Sequence, residues 1–180
     1  MSKLEVNAID SVGTTLTLGD TNATTLALNS SITTLPSALK NTPAFFATLS
    51  SNQSVPSGTN TKIQFDNEVY DTDNCYDNTT NYRFTPNVAG KYYVFAFGEF
   101  AGLGDTYTRF YFYKNGSEHR YFHHVAMHNF TNTGTSGGSI VDCNGTTDYV
   151  EMYAFHGIGS NCNFSGTHRT YFGAYKLIGV

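Results

Sequence analysis

Tryptophan is absent from this chain of 180 residues, and charge is scarce: 10 Lys and Arg stand against 14 Asp and Glu. A net charge of −4 without a basic cluster excludes the electrostatic footprint of a nucleic-acid binder. No apolar run nears the roughly 20 residues that cross a bilayer, and no basic amphipathic segment suits a membrane surface. Neither nucleic acid nor membrane insertion is therefore expected. The opening MSKLEVNAID has no apolar core, so no secretory leader is expected either. Three cysteines, Cys75, Cys143 and Cys162, are too sparse for a disulfide framework. Reduced thiols are the expectation, and a Cys143–Cys162 bridge is left to geometry.

Catalytic patterns are missing as well. There is no Gly-x-Ser-x-Gly elbow, no His-Glu-x-x-His pair and no cysteine in a recognisable catalytic setting. The chain is not expected to be an enzyme or to need a cofactor. Asp71, Asp73 and Asp77 occupy positions one, three and seven of a calcium-loop count, but Tyr76 and Tyr82 stand where Gly and Glu belong. A polar loop is the better reading. His119, His123, His124 and His128 are close in sequence, yet their spacing does not select a metal, and none is expected. No helical period of useful length occurs.

What the chain does have is unevenly placed. All of the 14 Phe and 13 Tyr lie between Phe45 and Tyr175. The segment before them is rich in Thr, Leu, Asn and Ser, with a loose repeat in Thr14–Leu18, Thr24–Leu28 and Thr33–Leu35. Each unit offers two leucines at most, worth roughly 1.5–3 kcal/mol apiece when buried, against roughly 1–2 kcal/mol of backbone entropy per ordered residue. Such a segment needs copies of itself or a larger body to hold it. Residues 1–42 are therefore expected to be a short β-rich anchoring and trimerising segment, with Leu4, Val6, Ile9, Leu16 and Leu18 as its apolar pegs.

From Pro43 onward short strands alternate with turn signals. Strands are expected at Ala44–Leu49, Lys62–Val69, Lys91–Phe100, Thr108–Tyr113, Arg120–Val125, Ser139–Cys143, Asp148–His156 and Thr170–Ile178. Lys114-Asn115-Gly116 reads as a hairpin turn. Gly102–Asp105, Thr131–Gly138 and Gly157–Asn163 read as loops. Many short strands at this spacing make an all-β sandwich or barrel.

The stretch Tyr92–Phe97 is apolar on both faces, Tyr92, Val94 and Ala96 on one and Tyr93, Phe95 and Phe97 on the other. A sandwich strand needs only one dry face. The outward sets, joined by Tyr111, Tyr113, Tyr149 and Tyr153, would form an exposed aromatic patch larger than a monomer tolerates, and self-association explains it. The smaller side chains of the Tyr92 set favour that set for a tight axis.

The order of pieces resembles the globular head of the first complement component, of the tumour-necrosis-factor-like jelly-roll superfamily. The resemblance spans residues 43–180. It rests on Pro43–Ala47, Lys62–Phe65, Tyr76-Asp77, Phe84–Pro86 with Ala89–Tyr92, Phe112–Gly116, Asp148–Met152 and Tyr171–Leu177. It departs at Phe172-Gly173-Ala174, where the family tends to have Phe-Ser-Gly, and no collagen-like repeat precedes it. With the Thr/Leu segment in front, the whole is similar to bacteriophage virion appendage proteins. What the resemblance implies is a jelly-roll β-sandwich head in a homotrimer, with residues 1–42 joined to another virion protein. A tail-fibre or spike tip for host-surface adhesion follows, toward a glycan or a protein. The alternative is a capsid-decorating or head-fibre protein. Receptor contacts are expected in the loops, at Leu103, Asp105, Thr133, Ser136, Ser160 and Asn161.

Overall fold

The computed structural model describes residues 40–102, 104–127, 131–167 and 169–179. The anchor positions Leu4, Val6, Ile9, Leu16 and Leu18 lie outside the described residues, as do Leu103 and His128. In chain order the strands are β1 (Ala44–Thr48), β2 (Gln53–Val55), β3 (Thr61–Lys62), β4 (Asn67–Asp71), β5 (Tyr76–Asp77), β6 (Arg83–Phe84) and β7 (Gly90–Ala101). They continue as β8 (Thr106–Lys114), β9 (Ser117–Met127), β10 (Asn132–Cys143), β11 (Val150–His156), β12 (Cys162–Phe164) and β13 (Tyr171–Lys176).

Two antiparallel sheets face each other. The first runs β2, β12, β7, β13, β1, β4, with β10 on the free side of β7; the second runs β5, β6, β11, β8, β9, with β3 paired to β11. This is an all-β jelly-roll sandwich. Between the sheets, Phe45 stacks on Tyr76 at 4.4 Å and on Phe84 at 4.8 Å, and meets Phe172 edge-on at 5.0 Å. Phe100, Phe110 and Phe164 close the other end of the core with centroids 5.3–5.8 Å apart. Each such ring contributes about 1.5–3 kcal/mol when fully withdrawn from water.

β7 shows how sequence parity becomes architecture. From Tyr92 to Ala101 its residues alternate buried and half-buried, Tyr92, Val94, Ala96 and Phe100 inward and Tyr93, Phe95 and Phe97 outward. Tyr92 is fully buried, and its hydroxyl donates to the carbonyl of Val88 at 2.6 Å. The expectation that the Tyr92 set faces a partner is thus corrected: its side chains fill the core, and Tyr92 cannot be an interface residue. The ring fits there because its hydroxyl finds an acceptor, which is what a buried tyrosine requires.

Three strand expectations also change. Lys62–Val69 is not one strand: β3 ends at Lys62 and β4 begins at Asn67, while Ile63 and Phe65 between them are fully buried. Thr131–Gly138 is not a loop, because β10 pairs with β7 from Asn132 to Cys143 without a break. The short strand β12 begins inside Gly157–Asn163, read as a loop, and β2 lies where no strand was expected. The hairpin at Asn115-Gly116 is as expected, with φ of 52° and 76°, the left-handed pair that a tight two-residue turn uses.

Candidate functional site

The outer face of the first sheet is paved with rings. Direct cross-strand pairing sets Tyr171 beside Phe97, Gly173 beside Phe95 and Tyr175 beside Tyr93, and on the far side Phe46 beside Gly173 and Tyr70 beside Phe46. Phe95 sits at the centre, 6.0–6.3 Å from Tyr93, Phe46, Tyr171 and Tyr175. Phe97 and Tyr70 extend the network at its two sides. Strand glycines let these rings lie flat: a Cβ on Gly173 would come within 2.6 Å of Phe95, one on Gly134 within 2.7 Å of Phe97, and Gly138 lies beneath Tyr93. This also explains why β10 carries glycines without being a loop.

A shallow hollow of about 260 Å³ opens in this face among Tyr93, Phe95, Ser136, Gly138 and Tyr171. Ile140, 56% exposed, stands opposite Tyr93, and Tyr70 is 47% exposed. Two ion pairs mark the ends of the paving along β7, Lys91–Asp142 at 2.8 Å and Glu99–Arg169 at 3.2 Å. An apolar centre with charges at its rim is the anatomy of a protein interface. Phe46, Tyr70, Tyr171 and Tyr175 were not among the sequence candidates. Their alternation with Phe45, Phe172 and Ala174 was the available signal.

The remaining interface candidates stand on the opposite sheet. Tyr113 and Tyr153 stack at 4.0 Å on its outer face, and the Tyr113 hydroxyl accepts from the Asn60 amide at 2.8 Å. Burial pushes the Tyr153 hydroxyl up to about 12. Tyr111 is only 3% exposed, and Tyr149 lies under the Arg83 guanidinium at 4.2 Å. Beside them Lys62 pairs with the buried Glu151 at 2.9 Å. Opposite faces of one sandwich cannot both converge on a single threefold axis, so these four do not share a surface with Tyr93, Phe95 and Phe97.

The loop candidates scatter. Asp105, Ser160 and Asn161 are exposed in connections, Ser136 is exposed on β10, and Thr133 is buried at 7% exposure. Thr133 is thereby corrected as a receptor contact, because it points inward from a paired strand. A broad hollow of about 520 Å³ is lined by polar residues from Asn74 to Thr85. Its Asp77 carboxylate is already occupied by the backbone N–H groups of Thr79, Thr80 and Asn81, and Asp71 accepts from the N–H groups of Asp73 and Tyr76. These aspartates shape a turn. Among the described residues no three His, Cys, Asp or Glu side chains are grouped to hold a metal. Cys75, Cys143 and Cys162 are all buried and unbridged.

No family model matches the sequence, and no curated protein does. Solved structures do match. The globular domain of zebrafish complement 1qA superposes with a TM-score of 0.50 at 19% identity, over 75% of this chain and 96% of that one. Murine APRIL gives 0.56 at 12% identity, over 74% and 98%. Eiger, a tumour necrosis factor of S. frugiperda, gives 0.52 at 10% identity, over 76% and 93%. The described residues thus share the jelly-roll fold of these structures.

Proposed function

We propose that the chain is the head-bearing subunit of a homotrimeric virion appendage, a bacteriophage tail fibre or spike whose jelly roll faces outward for host-surface adhesion. The observation that carries the assembly is the seven-ring face of Phe46, Tyr70, Tyr93, Phe95, Phe97, Tyr171 and Tyr175. A set of rings already flattened against its own sheet presents an apolar plane at little further cost in side-chain entropy. Likeness in fold to the complement and tumour-necrosis-factor heads supports an arrangement around a threefold axis, and the Thr/Leu segment at residues 1–42 supports attachment to another virion protein.

Light scattering on the full chain tests the assembly, with three copies expected and a monomer fatal to it. Adhesion is tested by adding the purified protein to host cells before infection. Competition supports an adhesin. A protein that leaves infection unchanged, and whose loss weakens the capsid, makes the chain a decoration protein.

A further inference from the structure

The outer face of the second sheet carries a hollow that assembly through the first sheet leaves open. It lies where β8 meets β9, has a volume of about 200 Å³ and is lined by Arg109, Tyr111, Glu118, Tyr121 and His124. A break in strand regularity builds it. The β8–β9 register shifts between Phe110 and Tyr111, and again between Phe112 and Tyr113. At the first shift β9 holds one residue too many, Phe122. That ring turns inward, 4.6 Å from Phe112 and 5.9 Å from Phe110, next to His123, which stacks on Phe110 at 4.9 Å. Tyr121 and His124 are three residues apart and in a regular strand would face opposite ways. The bulge puts both outside, opposite Tyr111 and Arg109, with ring centroids 6.3 Å apart.

Arg109 is the fixed point. Its guanidinium lies over Tyr107 at 5.1 Å and Phe155 at 5.6 Å, which holds the planar fork before any ligand arrives. Its Nε is the one buried side-chain nitrogen or oxygen among the described residues with no hydrogen-bond partner. Only that atom is buried: Arg109 as a whole is partly exposed, and its guanidinium donates to the Tyr111 hydroxyl, which fixes it further. Tyr121, 57% exposed, stands at the edge of the hollow as an open aromatic plate.

We propose that this hollow binds one uncharged hexose ring of a surface saccharide. Arg109 and Glu118 cancel in charge, so the hollow favours neither an acid nor an amine. A guanidinium that only donates and a carboxylate that only accepts match vicinal hydroxyls, each of which does both. The Tyr121 ring suits the apolar C–H face of a pyranose. The volume fits a single ring, below the range of drug-sized sites. The proposal refines and rests on the adhesion reading, and it moves recognition from the loops to a strand face.

Saturation-transfer NMR on the full chain tests it, with methyl glucoside, galactoside and mannoside as neutral probes and glucuronic and N-acetylneuraminic acids as charged ones, each at about 10 mM, the scale of a weak single-ring site. At least one neutral glycoside should bind. Tyr121→Ser and Glu118→Gln, both on the surface, should each weaken it about tenfold at unchanged melting temperature, the size expected for losing one good polar or stacking contact. A silent panel, binding of the charged sugars alone, or undiminished binding in both variants overturns the proposal. Competition with infection by the same protein keeps the two readings apart. A chain that blocks infection yet ignores every sugar sinks this inference alone, and one that binds a sugar yet leaves infection unchanged sinks the adhesion reading alone.

Discussion

The ring of Phe95 lies across Gly173 of the neighbouring strand, so close that a Cβ there would stand 2.6 Å from its Cζ and 3.0 Å from the Phe45 carbonyl oxygen. Backbone blocks one way out and the ring the other. Gly173→Ala should therefore lift Phe95 from the sheet and cost roughly 1–3 kcal/mol, as overpacking does. Denaturant midpoints of the two proteins measure it. A change below a few tenths of a kcal/mol would show that the ring moves aside freely.

Phe95→Glu separates assembly from folding. The position faces outward at the centre of the ring network, so a carboxylate there meets water in an isolated chain but meets apolar surface in an assembly. The variant should elute as a folded monomer. If it still forms trimers, this face is not the interface.

Lys62 answers the buried Glu151 and also donates to the carbonyl of Asn81 at 2.9 Å. Removing it strands a carboxylate that is 4% exposed. Because Lys62 itself remains partly solvated, Lys62→Met should cost roughly 1–3 kcal/mol, less than a fully buried pair would. Adding Glu151→Leu should recover most of the loss, read by thermal unfolding.

Acid should weaken the fold through Asp77. Its carboxyl is held below the ordinary 3.8 by the N–H of Thr80 first, against an opposing effect of burial, and then by the N–H of Thr79 and the side-chain amide and N–H of Asn81. A lowered folded-state value means that the stabilisation is complete above the unfolded value and is lost as pH falls through it toward the folded one. The unfolding midpoint should be level above about pH 5 and drop below about pH 4. Asp77→Asn should start lower at neutral pH and fall less steeply.

The thiols should be silent. Burial pushes Cys143 up to about 11 and raises Cys75 and Cys162 as well, so little nucleophilic thiolate exists at pH 8. A thiol-specific disulfide reagent should find none of the three in the folded chain and all of them in denaturant. Prompt reaction of the native protein would contradict the buried, unbridged arrangement.

The all-β class was legible because aromatic strand runs and turn residues such as Asn115-Gly116 are local signals. Facing was not. Tyr92 and Tyr93 are neighbours of the same type, and only the register with β10 and β13 decides which one fills the core. The stretch from Thr131 to Gly138 was misleading for a physical reason: its glycines give room to Phe97 and Tyr93 on one face and Phe122 on the other, yet alone they look like a loop. The Arg109 hollow was the least legible, because Tyr121 and His124 share a face only through a bulge, which no period-two pattern contains.

The back-to-back arrangement of the two sheets has a consequence for binding strength. β7 fills the core with one set of side chains and turns the other outward, while β8 and β9 hold the Arg109 hollow on the opposite side. A trimer closed through the ringed face would carry three identical hollows on its outer wall, each too small to bind tightly. On a surface dense in saccharide, three weak contacts engaged together would gain a factor of about 10²–10⁴ over one, if their spacing allows it. The grip would then be set by ligand density, so that such a trimer would hold fast where sugars are crowded and let go where they are sparse.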